Sequence, residues 1–336
     1  MADQHNRVFF PINYNDLFST WNHYPDAMPY AGGIELIAWQ GKKIITLPKV
    51  ILCLDKIEEL RRITRTEQYI EIGAMVKLNQ LFMLGTIQRQ HQAAARQQPS
   101  QTIQRRLSGS LQQQLLGRIV PTILYKCMEN IAGVQLRNVA TIGGNICSKK
   151  RLYDLPAVLT ALDAQYELRS ANNSRWVSAA RFHSEITGEE SAHQGINNDQ
   201  GGNLHSSYVE NLHVKNVLKK QELLTRVRLP LLQWDYSIYK KFLSEDMYNY
   251  EVLVFLAKAQ KTILTDLRVV YKSAAILRNK NGEDSLLGKN LPLSRKTALD
   301  FVDNWKVFLD ERPDVSTFSK NALLNNIEEN VFILSE

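Results

Sequence analysis

The chain has 336 residues, 44% hydrophobic and 22% charged, enough to bury a full core and to form two or three compact units. No run approaches the eighteen apolar residues of a membrane span, and the N-terminus (MADQHNRVFF) lacks the basic-then-apolar layout of a signal peptide, so a cytoplasmic protein without a membrane span is expected. Of the net charge of +7, five charges lie in residues 86–119, which hold five arginines and no acidic residue, so a general nucleic-acid-binding surface is not expected.

Residues 8–30 predict a short strand, a helix from about Asn15 to Tyr24 and a proline-bounded turn from Pro25 to Pro29. Ala31-Gly32-Gly33-Ile34-Glu35-Leu36 is a Gly-Gly turn feeding an apolar run. Strand-like segments follow at Ile34 to Trp39, Lys43 to Thr46, Val50 to Leu54 and Tyr69 to Ile72, with a strand or turn starting at Leu60. Spacing this short suits a small mixed α/β unit and not a Rossmann half with long crossover helices. A helix is expected over Leu78 to Leu84. Residues 86–119, with ten glutamines among the arginines, read as a mobile surface insertion, a docking element for a partner subunit being the competing idea.

Residues 120–133 predict an amphipathic helix ending at Gly133. A second Gly-Gly turn follows, Arg137-Asn138-Val139-Ala140-Thr141-Ile142-Gly143-Gly144-Asn145-Ile146. Two adjacent glycines among β-branched residues let the backbone approach something bulky, and the N–H groups of such a turn can form an anion-binding concavity. Two turns of this kind are what a fold needs to grip a long diphosphate ligand from both sides. Leu155 to Leu162 reads as a helix, and Gln165 to Arg169 with Ser174 to Val177 as paired strands. The glycine-rich stretch 187–205 reads as a loop, and His193, His205 and His213 have no metal-ligand spacing. Beyond Pro230, strands are expected at Ser237 to Leu243, Leu253 to Ala259 and Leu267 to Leu277, and a helix over Leu293 to Leu309 with Ser294 as its N-cap. Cys53, Cys127 and Cys147 are too few and too scattered for a disulfide framework, a zinc site or an iron–sulfur site.

The ordered series resembles the FAD-binding medium subunit of the molybdenum hydroxylases, the xanthine dehydrogenase and carbon monoxide dehydrogenase type. It runs from Phe10-Pro11 through the first Gly-Gly turn, Glu71-Ile72-Gly73-Ala74, the string 136–146, Asp154-Leu155-Pro156 and Glu222 to Pro230, to the pattern around Lys241. The resemblance implies an α+β fold. Residues 1–230 would be a vanillyl-alcohol-oxidase (PCMH) type FAD-binding domain, with subdomains of about 1–70 and 71–230 and the insertion 86–119. Residues 231–336 would form a smaller α+β C-terminal domain of the carbon monoxide dehydrogenase flavoprotein kind.

By the same resemblance FAD would be held by Ala31, Gly32, Gly33, Ile34, Glu35, Leu36, Asn138, Thr141, Ile142, Gly143, Gly144, Asn145, Asp154, Leu224 and Lys241. Glycine N–H groups could offset the diphosphate's charge without a lysine. Asp154 would hydrogen-bond the cofactor, the alternative being a helix N-cap; Lys241 would lie near the flavin ring, the alternative being a solvated strand residue beside Lys240. The chain departs from the pattern at Ile34, where Thr, Ser or His is usual, and at Glu245, near the place of an arginine. The insertion 86–119 has no cysteine, which excludes the cluster carried there by relatives of the 4-hydroxybenzoyl-CoA reductase type.

The implied role is electron transfer with a molybdopterin-binding large subunit and a small [2Fe–2S] subunit as partners, FAD as cofactor, and NAD or another acceptor. No catalytic side chain and no metal ligand is assigned. The alternatives are a stand-alone flavin oxidoreductase of this fold and a structural subunit that has lost FAD.

Overall fold

The computed structural model describes residues 6–35, 47–86, 120–149, 152–183, 216–244 and 250–335. The chain divides into two compact units, one of Met1–Ser148, Ala164–Ala179 and Leu218–Leu231, the other of Lys149–Asp163, Ala180–Val217 and Leu232–Glu336.

The first unit opens with β1 (Arg7–Phe9), the helix Tyr14–His23, β2 (Met28–Tyr30) and β3 (Val50–Cys53). Asn13 caps the helix by accepting from the Asp16 N–H at 2.9 Å, and Leu17, Phe18 and Trp21 bury its apolar stripe. The strands form a parallel sheet with β3 in the middle. The turn expected to run to Pro29 therefore stops before Met28, where β2 begins. Pro29 has no N–H to donate, and it is accommodated because β2 is an edge strand.

Two single 3₁₀ turns, Leu54–Lys56 and Glu58–Arg61, lead to β4 (Ile63–Arg65) and β5 (Tyr69–Gly73). With β6 (Gln165–Arg169), β7 (Ser174–Ser178) and β8 (Leu223–Pro230) they build an antiparallel sheet in the order β4-β5-β8-β6-β7. The expected pairing of β6 with β7 is present. Side chains alternate along β8, and its arginines meet carboxylates from both neighbours. Arg226 donates to Glu167 at 2.7 Å and to Glu71 at 2.9 Å, and Arg228 donates to Glu71 at 2.6 Å while lying 3.9 Å from the Trp176 ring centre. Residues 78–86 are helical, as are Thr122–Glu129 and Val134–Val139. The helix expected over 120–133 is shorter: it ends at Glu129 with Asn130 as its C-cap, and the chain then turns through a left-handed Ala132 at φ 47°.

In the second unit the helix Leu155–Ala161 packs on an antiparallel sheet of β9 (Tyr236–Leu243), β10 (Tyr250–Gln260), β11 (Ile263–Lys272) and β12 (Ile276–Arg278). The strand expected over Leu267 to Leu277 is broken after Lys272, and its end returns as β12. Helices Arg295–Asp310 and Thr317–Ile333 close a core containing Phe255, Tyr271, Phe301, Trp305, Leu323 and Ile327. Ser294 accepts from the Thr297 N–H at 3.1 Å, as its expected capping role requires. The mixture of helices and sheets bears out the α+β expectation.

Among the described residues no helix is long and apolar enough to cross a membrane. Cys53 and Cys127 are buried and Cys147 is partly buried, and none of the three is in a disulfide. The strand expected at Lys43 to Thr46, residues 87–119, the loop 187–205, His193, His205, His213 and Glu245 lie outside the described residues.

Candidate functional site

The second glycine string is built around Arg137, a buried residue whose Nη1 donates to the carbonyls of Met128, Ile131 and Ala132 at 3.2, 3.1 and 2.7 Å. These carbonyls lie at and beyond the end of Thr122–Glu129, so the arginine of this string ties down a helix terminus. Asn138 is exposed. Thr141 pairs with Lys77 in an isolated antiparallel bridge, and the Leu78 N–H donates to Ala140 at 2.9 Å.

The expected open turn at 141–145 is instead one turn of helix, Ile142–Ile146, capped by Thr141. Its backbone donors are engaged within the protein. Ile142 donates to Val76 at 3.0 Å, Gly143 to Ala74 at 2.9 Å, Gly144 to the Thr141 hydroxyl at 3.0 Å and Asn145 to Thr141 at 3.0 Å. The reading of these N–H groups as an anion cradle is therefore corrected: capping and pairing to residues 74–76 use them first. Gly143 is required by packing, since a Cβ there would lie 2.8 Å from the Ala74 Cβ and 2.9 Å from its carbonyl oxygen. What this segment leaves available is the Asn145 side chain. Its Oδ1 is buried and has no hydrogen-bond partner among the described residues, a cost that a ligand donor would remove.

The first glycine string has the opposite character. Gly33 adopts φ +68°, open to glycine at little cost. The N–H groups of Gly32, Gly33 and Ile34 have no acceptor among the described residues. Successive free N–H groups around a left-handed residue form a concavity for an anion. Ile34 and Glu35 are helical, which corrects the strand expected from Ile34; Leu36 lies outside the described residues. The two strings meet: a Cβ on Gly32 would collide with the Val139 carbonyl oxygen, and the Ser148 hydroxyl donates to Glu35 at 2.6 Å. Leu224, on β8 in the same unit, is buried opposite Leu168.

In the second unit, Asp154 precedes the helix Leu155–Ala161 but makes no capping bond. Its carboxylate accepts from Lys241 at 2.7 Å and from the Tyr239 hydroxyl at 3.2 Å, and Lys272 lies 3.5 Å away. Lys272 also donates to the Tyr250 carbonyl at 2.7 Å. Asp154 and Lys272 are 7% and 4% exposed. Lys240 points the other way, to Glu329 at 2.8 Å, so strand alternation separates the two neighbouring lysines. Sequence reasoning missed Lys272, because one lysine at the end of an alternating strand carries no pattern. Among the described residues no group of three His, Cys, Asp or Glu side chains could hold a metal ion.

Residues 4–232 match the family described as the FAD binding domain in molybdopterin dehydrogenase. The glyceraldehyde dehydrogenase medium chain of Sulfolobus acidocaldarius is 23% identical over 266 residues, covering 78% of this chain and 74% of that one. Xanthine dehydrogenase 2 of Arabidopsis thaliana is 24% identical over 290 residues, covering 83% of this chain but only 18% of the plant protein. In structure, a chain of the carbon monoxide dehydrogenase of Hydrogenophaga pseudoflava superposes with a TM-score of 0.66 at 19% identity, over 100% of this chain and 98% of that one. These findings agree with the glycine strings and the α+β architecture. The chain belongs to the FAD-binding domain family of the molybdopterin dehydrogenases, and is a flavin-binding oxidoreductase subunit of the molybdenum hydroxylase type.

Proposed function

We propose that this chain holds FAD as the electron outlet of a three-component hydroxylase. A molybdopterin-binding subunit would oxidise the substrate, a [2Fe–2S] subunit would deliver the electrons, and NAD or another acceptor would take them up in the cytoplasm. FAD supplies the redox chemistry that links one-electron donors to such an acceptor. The work of this chain is to bind and orient the cofactor.

The observation that carries the reading is the meeting of the two glycine strings, with a left-handed Gly33 and, among the described residues, no partner for the N–H groups of Gly32 to Ile34 or for the buried Asn145 Oδ1. The residues present fit the cofactor. The first string offers donors suited to a diphosphate, and Asn145 offers an acceptor suited to an N–H or hydroxyl of the flavin end. Ala31 and Glu35 flank the first string, and Thr141, Ile142, Gly143 and Gly144 shape the second. Asn138, Leu224, Asp154 and Lys241 are proposed contacts on the strength of the resemblance, which the Asp154–Lys241 ion pair supports by placing both in one polar cluster.

The test is an absorption spectrum of the purified chain with and without added FAD. Oxidised-flavin bands that survive gel filtration support the reading, and their loss in Gly32→Val would locate the site. A folded chain that stays colourless at saturating FAD would overturn it in favour of a scaffold subunit. Co-purification with the two expected partners tests the assembly separately.

A further inference from the structure

With the N–H groups of residues 142–145 used internally, the diphosphate lacks half of the donors expected for it. We propose that the Lys77 ammonium is the cation that offsets the cofactor's diphosphate charge. This rests on the FAD reading and goes beyond it by naming a residue outside both glycine strings.

Lys77 stands where the strings converge. Its backbone pairs with Thr141, at the head of the second string. Its Nζ donates to the Val139 carbonyl at 3.2 Å, and this is the oxygen against which Gly32 packs. One oxygen thus locates the ammonium beside the first string and within the second. An ammonium carries three donors, and a single neutral carbonyl accepts one of them. Among the described residues no carboxylate comes within ion-pairing distance of Nζ. The nearest acidic influence is Asp55, and Asp55 is itself paired with Arg61 at 3.1 Å. Partial burial of Lys77 disfavours its charge, so its pKa lies below the usual lysine value; the pull of Asp55 is weaker and Arg61 opposes it. A half-buried cation that, among the described residues, has one neutral partner and stands beside a row of N–H groups without acceptors is arranged to gain from an arriving anion.

The experiment is a fluorescence titration of the full chain with FAD at several salt concentrations, for wild type, Lys77→Met, Lys77→Gln and Lys77→Arg, with circular dichroism as the folding control. The expected result is a roughly 10- to 100-fold weaker FAD affinity for the two neutral variants, the size of one charge-assisted hydrogen bond. Their affinity should also depend less on salt than that of wild type, while Lys77→Arg keeps most of both. A purely structural role would weaken binding with the salt dependence unchanged. That result, or unaltered affinity in a folded neutral variant, would overturn the proposal. Failure of wild type to bind FAD at all would instead overturn the FAD reading itself, before any variant is compared.

Discussion

The Ser148 hydroxyl donates to the Glu35 carboxylate at 2.6 Å. It ties the residue after Gly33-Ile34 to the residue just beyond the helical turn of the second glycine string. The bond has an electrostatic consequence, because a carboxylate on the residue next to the N–H groups of Gly32 to Ile34 would repel a diphosphate. Holding Glu35 on Ser148 fixes where that charge sits. Ser148→Ala should weaken FAD binding roughly 3- to 10-fold, as expected for losing one hydrogen bond to a charged group in a partly exposed place. Adding Glu35→Gln to Ser148→Ala should recover part of the loss. Unchanged affinity in the single variant would show that Glu35 is indifferent to the ligand.

The adjacent glycines Gly143 and Gly144 should respond very differently to alanine. At Gly143 the new methyl would press on the Ala74 Cβ and carbonyl, which the pairing of residues 74–76 holds in place. At Gly144 the only close atom is the Thr141 hydroxyl at 2.9 Å. Gly143→Ala should cost about 1–3 kcal/mol, the usual range for overpacking, and Gly144→Ala clearly less, as read from denaturant unfolding. Equal losses would mean that both glycines are there for packing alone.

Which parts of this arrangement could be read from the sequence follows from where the information lies. The strands of β6 and β7, the Ser294 cap and the α+β class rest on local alternation, capping chemistry and element spacing, all visible in a short window. The helix Thr317–Ile333 was not legible: asparagines and acidic residues interrupt its stripe, and Leu323, Ile327 and Val331 are buried at a spacing that the flanking Phe318 and Ile333, both exposed, obscure. The glycine strings were legible as chemistry but not as geometry. That Gly143 and Gly144 donate to Ala74 and Thr141 depends on a bridge between Lys77 and Thr141, a pairing across 64 residues that no local pattern encodes. Lys77 and Lys272 were invisible for the same reason, since each gains meaning only from a distant partner.

Asp154 is the anion shared by Lys241 and Lys272 in the second unit. Removing it would take away the carboxylate that the buried Lys272 ammonium faces across 3.5 Å, and breaking such a pair from one side typically costs about 3–5 kcal/mol. Asp154→Asn should therefore destabilise this unit by an amount near the lower end of that range, because Lys272 keeps its bond to the Tyr250 carbonyl. Adding Lys272→Met should recover part of the loss by removing the charge that the carboxylate balanced. If Asp154→Asn unfolds at the wild-type denaturant concentration, the cluster does not support the fold and its charges serve the ligand alone.

His183 should make the second unit sensitive to mild acid. Burial pushes its imidazole down to about 4, and the side chain is 3% exposed, beside the Phe182 ring. The unfolded chain binds a proton near the ordinary value of about 6.5 while the folded chain does not, so stability falls as pH drops from there towards the folded value. The slope approaches about 1.4 kcal/mol per pH unit and the total about 3 kcal/mol. Other groups act at lower pH. Arg175 holds Glu222 below the carboxylate range, and Arg226 and Thr225 do the same for Glu167 against its burial, so their contribution is lost only below about pH 4.3. Burial pushes Glu283 upward, and that group partly opposes the histidine just above its ordinary value. Comparing wild type with His183→Phe cancels these common terms. Urea unfolding at pH 7 and pH 5 should show a loss for wild type about 1–2 kcal/mol larger than for the variant, and parallel losses in the two would mean that His183 is protonated inside the fold.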